Sequence, residues 1–179
     1  GGMGDGYKGQ TQTAAGRHMP KAYDPKAVEP RIYDSWVRDG HFTPTVDRSK
    51  TPFTVIMPPP NVTGALHMGH ALTTALEDLM VRWHRMKGDP SLYLPGTDHA
   101  GIATQVVVEG MLASDGITRH DLGRERFVKR VWGWVDQYGD AIYEQLKRLG
   151  ASCDWTRKRF TLDDGPSSAV RTTFVNLYK

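Results

Sequence analysis

Two histidines three residues apart, in His67-Met68-Gly69-His70, stand where a proline-rich loop gives way to a helix-periodic stretch. A helix N-terminus offers unpaired N–H groups and positive potential to an anion. Imidazoles in the first turn add directed hydrogen-bond donors, and Gly69 removes the side chain that would keep a flat ring away from the backbone. Phosphate, a stacked base and two histidines describe a nucleotide site built for chemistry at the phosphate. The pair could instead chelate a metal, although no carboxylate or thiolate sits at matching spacing on that helix. It could also be two ordinary surface histidines. Four residues with two fixed types do not choose among these readings.

The elements that must position this pair are legible around it. Phe53 to Met57 is a short apolar run bounded by prolines and predicts a buried strand. Pro58-Pro59-Pro60-Asn61-Val62-Thr63-Gly64 follows; three successive residues without an N–H exclude a helix or a sheet centre there. Ala71, Leu72, Ala75, Leu76, Leu79, Met80 and Trp83 then fall on one face of a helix ending near Gly88. Ser91 to Leu94 is a second strand, broken by Pro95-Gly96, and a further helix covers roughly 102–113. This alternation predicts an α/β fold with a parallel sheet, in which ligands bind at the carboxyl ends of the strands. The histidines lie at such an end.

Upstream, Asp24 and Pro25 predict a capped helix carrying Val28, Ile32, Trp36 and Val37 and closed by Gly40. Downstream, residues 118–150 read as helical with an interruption near Gly133 or Gly139. Phe127, Val131, Val135, Ile142, Leu146 and Leu149 form its stripe, and Gly150 its stop. The segment after Cys153 is irregular, and 166–178 resumes a helical pattern. Residues 1–19 hold six Gly and no Val, Ile, Leu, Phe or Trp, so they read as a disordered leader or an expression remnant.

Composition sets the outer bounds. Counted with Gly and without Tyr, about 46% of the 179 residues are apolar, which is ordinary for a globular domain. No apolar run approaches the ~18–20 residues that span a bilayer, so no membrane association is expected. One cysteine excludes an intramolecular disulfide and a four-thiolate zinc site, and a reducing, cytoplasmic setting is the default. Residues 118–160 carry 10 Lys and Arg against 6 Asp and Glu, while the rest of the chain sums to −1. That excess suits a polyanionic partner and a solvated helical surface equally.

The His-x-Gly-His pattern is shared by class I aminoacyl-tRNA synthetases and small nucleotidylyltransferases. The longer run Pro58-Pro-Pro-Asn-Val-Thr-Gly-Ala-Leu-His-Met-Gly-His70 closely resembles the first signature of the valyl family of class I synthetases. Gly96-Thr-Asp-His-Ala-Gly-Ile-Ala-Thr-Gln105 resembles a second segment of that family, and Asp154-Trp155 with Arg159-Phe160-Thr161 is a weaker echo. In the related isoleucyl and leucyl enzymes, Trp usually occupies the position of Thr97. The resemblance spans about residues 20–179. It implies the first half of a Rossmann-like nucleotide-binding catalytic domain, with additional helices. By the same resemblance, His67 and His70 are catalytic, and His67, Gly69 and His70 hold ATP with its Mg²⁺. Pro59, Pro60 and Asn61 wall an amino-acid pocket, and Asp98 receives the ammonium group of valine. No resident metal is implied, and His99 counts as loop structure. The implied reaction makes valyl-adenylate and passes valine to tRNA(Val). The family's Lys-Met-Ser-Lys-Ser-like signature, editing insert and anticodon-binding region have no counterpart here. The resemblance therefore implies a fragment that is weakly active or inactive alone. The competing expectation is a nucleotidylyltransferase or a regulatory nucleotide-binding module on the same fold.

Overall fold

The computed structural model describes residues 21–179, so the leader read over 1–19 lies outside the described residues. In chain order the elements are α1 (Pro25–Arg38), β1 (Phe53–Ile56), α2 (Met68–Met86), β2 (Ser91–Leu94) and β3 (Gly96–Thr97). They continue with α3 (Ile102–Ser114), α4 (Arg119–Leu122), α5 (Arg124–Leu149), β4 (Arg159–Phe160) and α6 (Asp164–Tyr178).

All strand pairing is parallel. β1 pairs with β2, from Phe53 opposite Ser91 to Ile56 opposite Leu94, and β3 pairs with β4. Met57 N–H extends the first ladder to Leu94 O (3.0 Å). The three prolines then supply no donor, and the ladder resumes as a bridge between Asn61 and Asp98. The run β2–Pro95–β3 is therefore central, with residues 53–62 on one side. On its other side Asp154 N–H bonds Tyr93 O (2.9 Å) and Thr161 N–H bonds Thr97 O (3.2 Å). This is the parallel α/β arrangement expected, with two short strands, β3 and β4, added to the two that the sequence announces.

The core gathers Met57, Val62, Val81, Tyr93, Ile142, Tyr143, Leu146, Ala151 and Cys153. Each large apolar side chain buried here contributes about 1.5–3 kcal/mol. Tyr143 and Leu146 thus fasten α5 to the strands, and the Tyr143 hydroxyl lies 3.2 Å from the Thr97 hydroxyl. Cys153 is fully buried, and burial pushes its thiol well above the usual range. α1 docks through Tyr33, whose hydroxyl donates to Ala151 O (2.7 Å) and accepts from Trp155 Nε1 (2.8 Å).

Two expectations need correction. β1 is half-exposed rather than buried, with Ile56 69% accessible. The break in the long helical region falls at Gly123 (φ +72°), not at Gly133 or Gly139, and α5 runs uninterrupted through both. Gly123 takes a positive-φ, extended conformation (φ +72°, ψ 164°) that favours glycine and closes α4, whereas Gly133 and Gly139 only lower helix propensity. The apolar residues of α2 fall within one helix, as expected, and the stripe they form faces outward. Its Leu72, Leu76, Leu79, Met80 and Trp83 are exposed, and the buried residues are Thr74, Asp78 and Val81.

The polar side of α2 is inward because it is fully partnered. Asp78 Oδ1 accepts from Ser152 N–H (3.0 Å) and from the Ser152 hydroxyl, while Oδ2 accepts from Arg82 Nε (2.6 Å). Arg82 also reaches Gly150 O (2.6 Å), and Arg85 reaches Ser152 O (2.8 Å). Buried carboxylates are tolerated when bonded in this way and costly when a partner is lost. Asp78→Ala is therefore expected to destabilise the 179-residue chain by about 3 kcal/mol or more. Leu76→Ala, on the exposed stripe, should stay within about 0.5 kcal/mol. Urea unfolding of the two variants checks the contrast; equal losses would mean that the apolar stripe carries the packing.

Candidate active site

The loop between β1 and α2 is held at both ends by distant side chains. Val62 N–H bonds Asp98 O (3.0 Å), Asp98 N–H bonds Pro60 O (2.8 Å), and Trp134 Nε1 of α5 donates to Val62 O (2.7 Å). Gln145 of the same helix accepts from Leu66 N–H (2.9 Å). Pro60, Asn61 and Asp98 are thus brought together in register, with Pro60 buried and Pro59 and Asn61 exposed. Pro59 also borders Gly96, where an added Cβ would sit 3.7 Å from Pro59 Cβ and 3.1 Å from Arg159 O.

His67 and His70 form a reciprocal cap on α2. Gly69 N–H donates to His67 Nδ1 (3.0 Å), and His67 N–H donates to His70 Nδ1 (3.2 Å). Their ring centroids are 4.0 Å apart. Because each Nδ1 accepts a backbone hydrogen, each neutral ring must carry its proton on Nε2. The cap therefore leaves two Nε2–H donors, beside a Met68 N–H with no bond partner among the described residues. Such a donor set fits an anion at a helix N-terminus. Gly69 has a further role that the sequence did not reveal: a Cβ there would sit 2.9 Å from His67 Cε1, so the ring it accommodates is the cap's own.

Asp98 opens a strained turn. Ala100 lies at φ +52° and Gly101 at φ +38°, and Ala100 is the one non-glycine with positive φ among the described residues. A left-handed alanine persists only where its surroundings hold it. Here Asp98 Oδ1 accepts from Ala100 N–H (3.1 Å), and the Thr104 hydroxyl donates to His99 O (2.7 Å). Asp98 Oδ1 also accepts from the Thr161 hydroxyl (3.0 Å), and His99 N–H donates to the Thr161 oxygen (2.9 Å). His99 is thus part of a bonded cluster rather than loop filler. Thr161, Trp134 and Gln145 escaped the sequence reading, since their partners lie 62 to 79 residues away. Only Thr161 left a trace, in the tail Arg159-Phe160-Thr161.

A cavity of about 1000 Å³ lies elsewhere, between α1, α2 and the end of α5, lined by residues such as Tyr33, Trp36, Arg82 and Lys147. None of the residues of the two motifs lines it. Among the described residues no three His, Cys, Asp or Glu converge as a metal-binding group, and no helix is long and apolar enough to cross a membrane.

Parallel strands whose carboxyl ends lead into a histidine-capped helix and an aspartate turn define a class I synthetase-type nucleotide fold. A chain from the ternary crystal complex of Agrobacterium radiobacter K84 LeuRS with tRNA and LeuAMS superposes with a TM-score of 0.70 at 18% identity, covering 88% of this chain and 18% of that one. Residues 31–179 match the family described as tRNA synthetases class I (I, L, M and V), and the chain belongs to that family. It is 59% identical over 161 residues to the valine–tRNA ligase of Dehalococcoides mccartyi strain 195, covering 90% of this chain. It is 56% identical over 160 residues to that of Thermus thermophilus, covering 89%. The chain spans 18% of the length of each of these two relatives.

The histidine cap carries a pH dependence. Burial, and then the neighbouring His67, hold His70 below its usual 6.5. A histidine depressed in the folded state contributes stability that is complete above about pH 6.5 and is lost as pH falls through the lower folded value. Hydrogen exchange of the His67 amide, which donates to His70 Nδ1, should therefore speed up, beyond its intrinsic pH trend, between pH 7 and 5. Unchanged protection would show that this bond does not depend on a neutral His70.

Proposed function

We propose that this chain is the N-terminal part, residues 20–179, of the catalytic domain of a valine–tRNA ligase. The parent enzyme would join valine to ATP as valyl-adenylate and pass valine to tRNA(Val). The observation that carries the reading is the register that sets Pro60 and Asn61 against Asp98, one short loop away from the histidine-capped helix. An amino-acid ligase needs those two neighbouring subsites, one for an ammonium group and one for a phosphate. The names of the relatives supply valine as the substrate.

In this reading Asp98 receives the substrate ammonium in a charge-assisted pair, and the Pro59–Asn61 backbone walls the side-chain pocket. The valine carboxylate attacks the α-phosphorus of ATP and pyrophosphate leaves. Charge then spreads over the phosphoryl oxygens, so positioning and electrostatic stabilisation dominate. His67 and His70 supply Nε2–H donors whose tautomer the cap has already set, so no proton has to be relocated as charge develops. Gly69 and the α2 N-terminus add backbone dipole, and the Mg²⁺ that accompanies ATP supplies further neutralisation.

Pyrophosphate exchange by the full-length enzyme, with each amino acid in turn, tests the substrate; the largest response is expected with valine. Asp98→Ala should raise the requirement for valine by the equivalent of about 2–5 kcal/mol while that for ATP moves little. A response to a different amino acid would overturn valine, and equal losses for both substrates would overturn the role of Asp98.

A further inference from the structure

We propose that Thr161 is a positioning residue that, together with His99, clamps one oxygen of the Asp98 carboxylate and so aims the other at the substrate ammonium; this rests on the role given to Asp98 above. All the bonds Asp98 accepts through its side chain fall on Oδ1: Ala100 N–H at 3.1 Å and the Thr161 hydroxyl at 3.0 Å, with His99 Nδ1 at 3.4 Å. Oδ2 has no such partner among the described residues. The hydroxyl of Thr161 has one proton and two lone pairs. Its proton goes to Asp98, one lone pair accepts His99 N–H at 2.9 Å, and the other faces His99 Nδ1 at 2.6 Å. The count closes only if His99 carries its proton on Nδ1. Thr161 thus ties backbone, imidazole and carboxylate into one unit.

The clamp is not a chance meeting of mobile groups. Thr161 follows β4, whose Phe160 pairs with Thr97, and its own N–H bonds Thr97 O at 3.2 Å. Asp98 follows Thr97 directly, so parallel register delivers the hydroxyl to the carboxylate across 63 residues of sequence. A carboxylate fixed through one oxygen presents the other in a single direction, which is what a directed ammonium contact requires. Segment 159–161 thereby becomes part of the amino-acid subsite without touching the substrate.

Steady-state pyrophosphate exchange by the full-length enzyme, comparing Thr161→Val, Thr161→Ser and Asp98→Ala, tests this. Thr161→Val keeps the shape and removes the hydroxyl. It should raise the KM for valine about tenfold to a hundredfold, with the KM for ATP within about threefold. Thr161→Ser should return the valine KM to within about threefold of wild type, a rescue that a packing role would not give. Should Thr161→Val fail to fold, Thr161→Ala carries the same expectations. A valine KM within twofold of wild type in the hydroxyl-free variant, an equal rise in both KM values, or no rescue by serine overturns the clamp. If Asp98→Ala is selective for valine and Thr161→Val is not, the clamp falls and the reading of Asp98 stands. If Asp98→Ala is itself unselective, both fall. If wild type responds to another amino acid, valine falls and the clamp is judged by the same ratios on that substrate.

Discussion

Proline has no N–H, and three in succession remove the donors that residues 58–60 would offer the central strand after Met57. The parallel ladder must break there, and what the structure depends on is that it closes again in register at Asn61 and Asp98. Pro60 contributes the carbonyl that Asp98 N–H needs, so the residue that stops the strand also anchors its continuation. The interrupted ladder fixes where the following loop starts, and Trp134 and Gln145 of α5 hold its remaining backbone groups. The position of the α2 N-terminus follows from these few bonds. A strand with ordinary donors at 58–60 would have continued the sheet and left no loop to carry the motif.

The fold was legible where local chemistry decides it. Asp24 caps α1 as its side chain predicts, Gly150 in the left-handed conformation stops α5, and the two strands fall where short apolar runs are bounded by turn residues. On α2, periodicity locates an apolar stripe without saying what the stripe faces. The inward side is instead decided by Asp78, Arg82 and Arg85, whose partners at Gly150 and Ser152 lie 67 to 74 residues away. A carboxylate in a helix reads as solvated until such partners are known. The break at Gly123 was missed for a related reason: three glycines precede the Gly150 stop in that region, and only φ distinguishes the one of the three that ends a helix.

The candidate site was legible as a set of residues and not as a set of bonds. His67, His70 and Asp98 stand out by type and spacing, yet their hydrogen-bond roles depend on the backbone they cap or accept from. That both imidazoles spend Nδ1 on the helix start, and that Gly69 makes room for one of them, follows from geometry alone. Thr161 shows the same limit at long range, since nothing in its own neighbourhood of sequence announces the carboxylate it bonds. Type and spacing identify groups able to do chemistry. Strand register decides which of them meet.

The single cysteine has a practical consequence. Cys153 sits where the chain leaves α5 for the sheet, with no accessible surface and its thiol driven toward the protonated form. Only a thiolate reacts readily with alkylating reagents, so in the folded molecule this group is silent. Every labelling event then marks a moment at which the seam between helix and strands has opened. When reclosing is faster than labelling, the rate measures the population of that open form. The chain thus carries an internal gauge of its own cooperativity, placed at the seam by which α5 secures the loop ahead of the histidine pair.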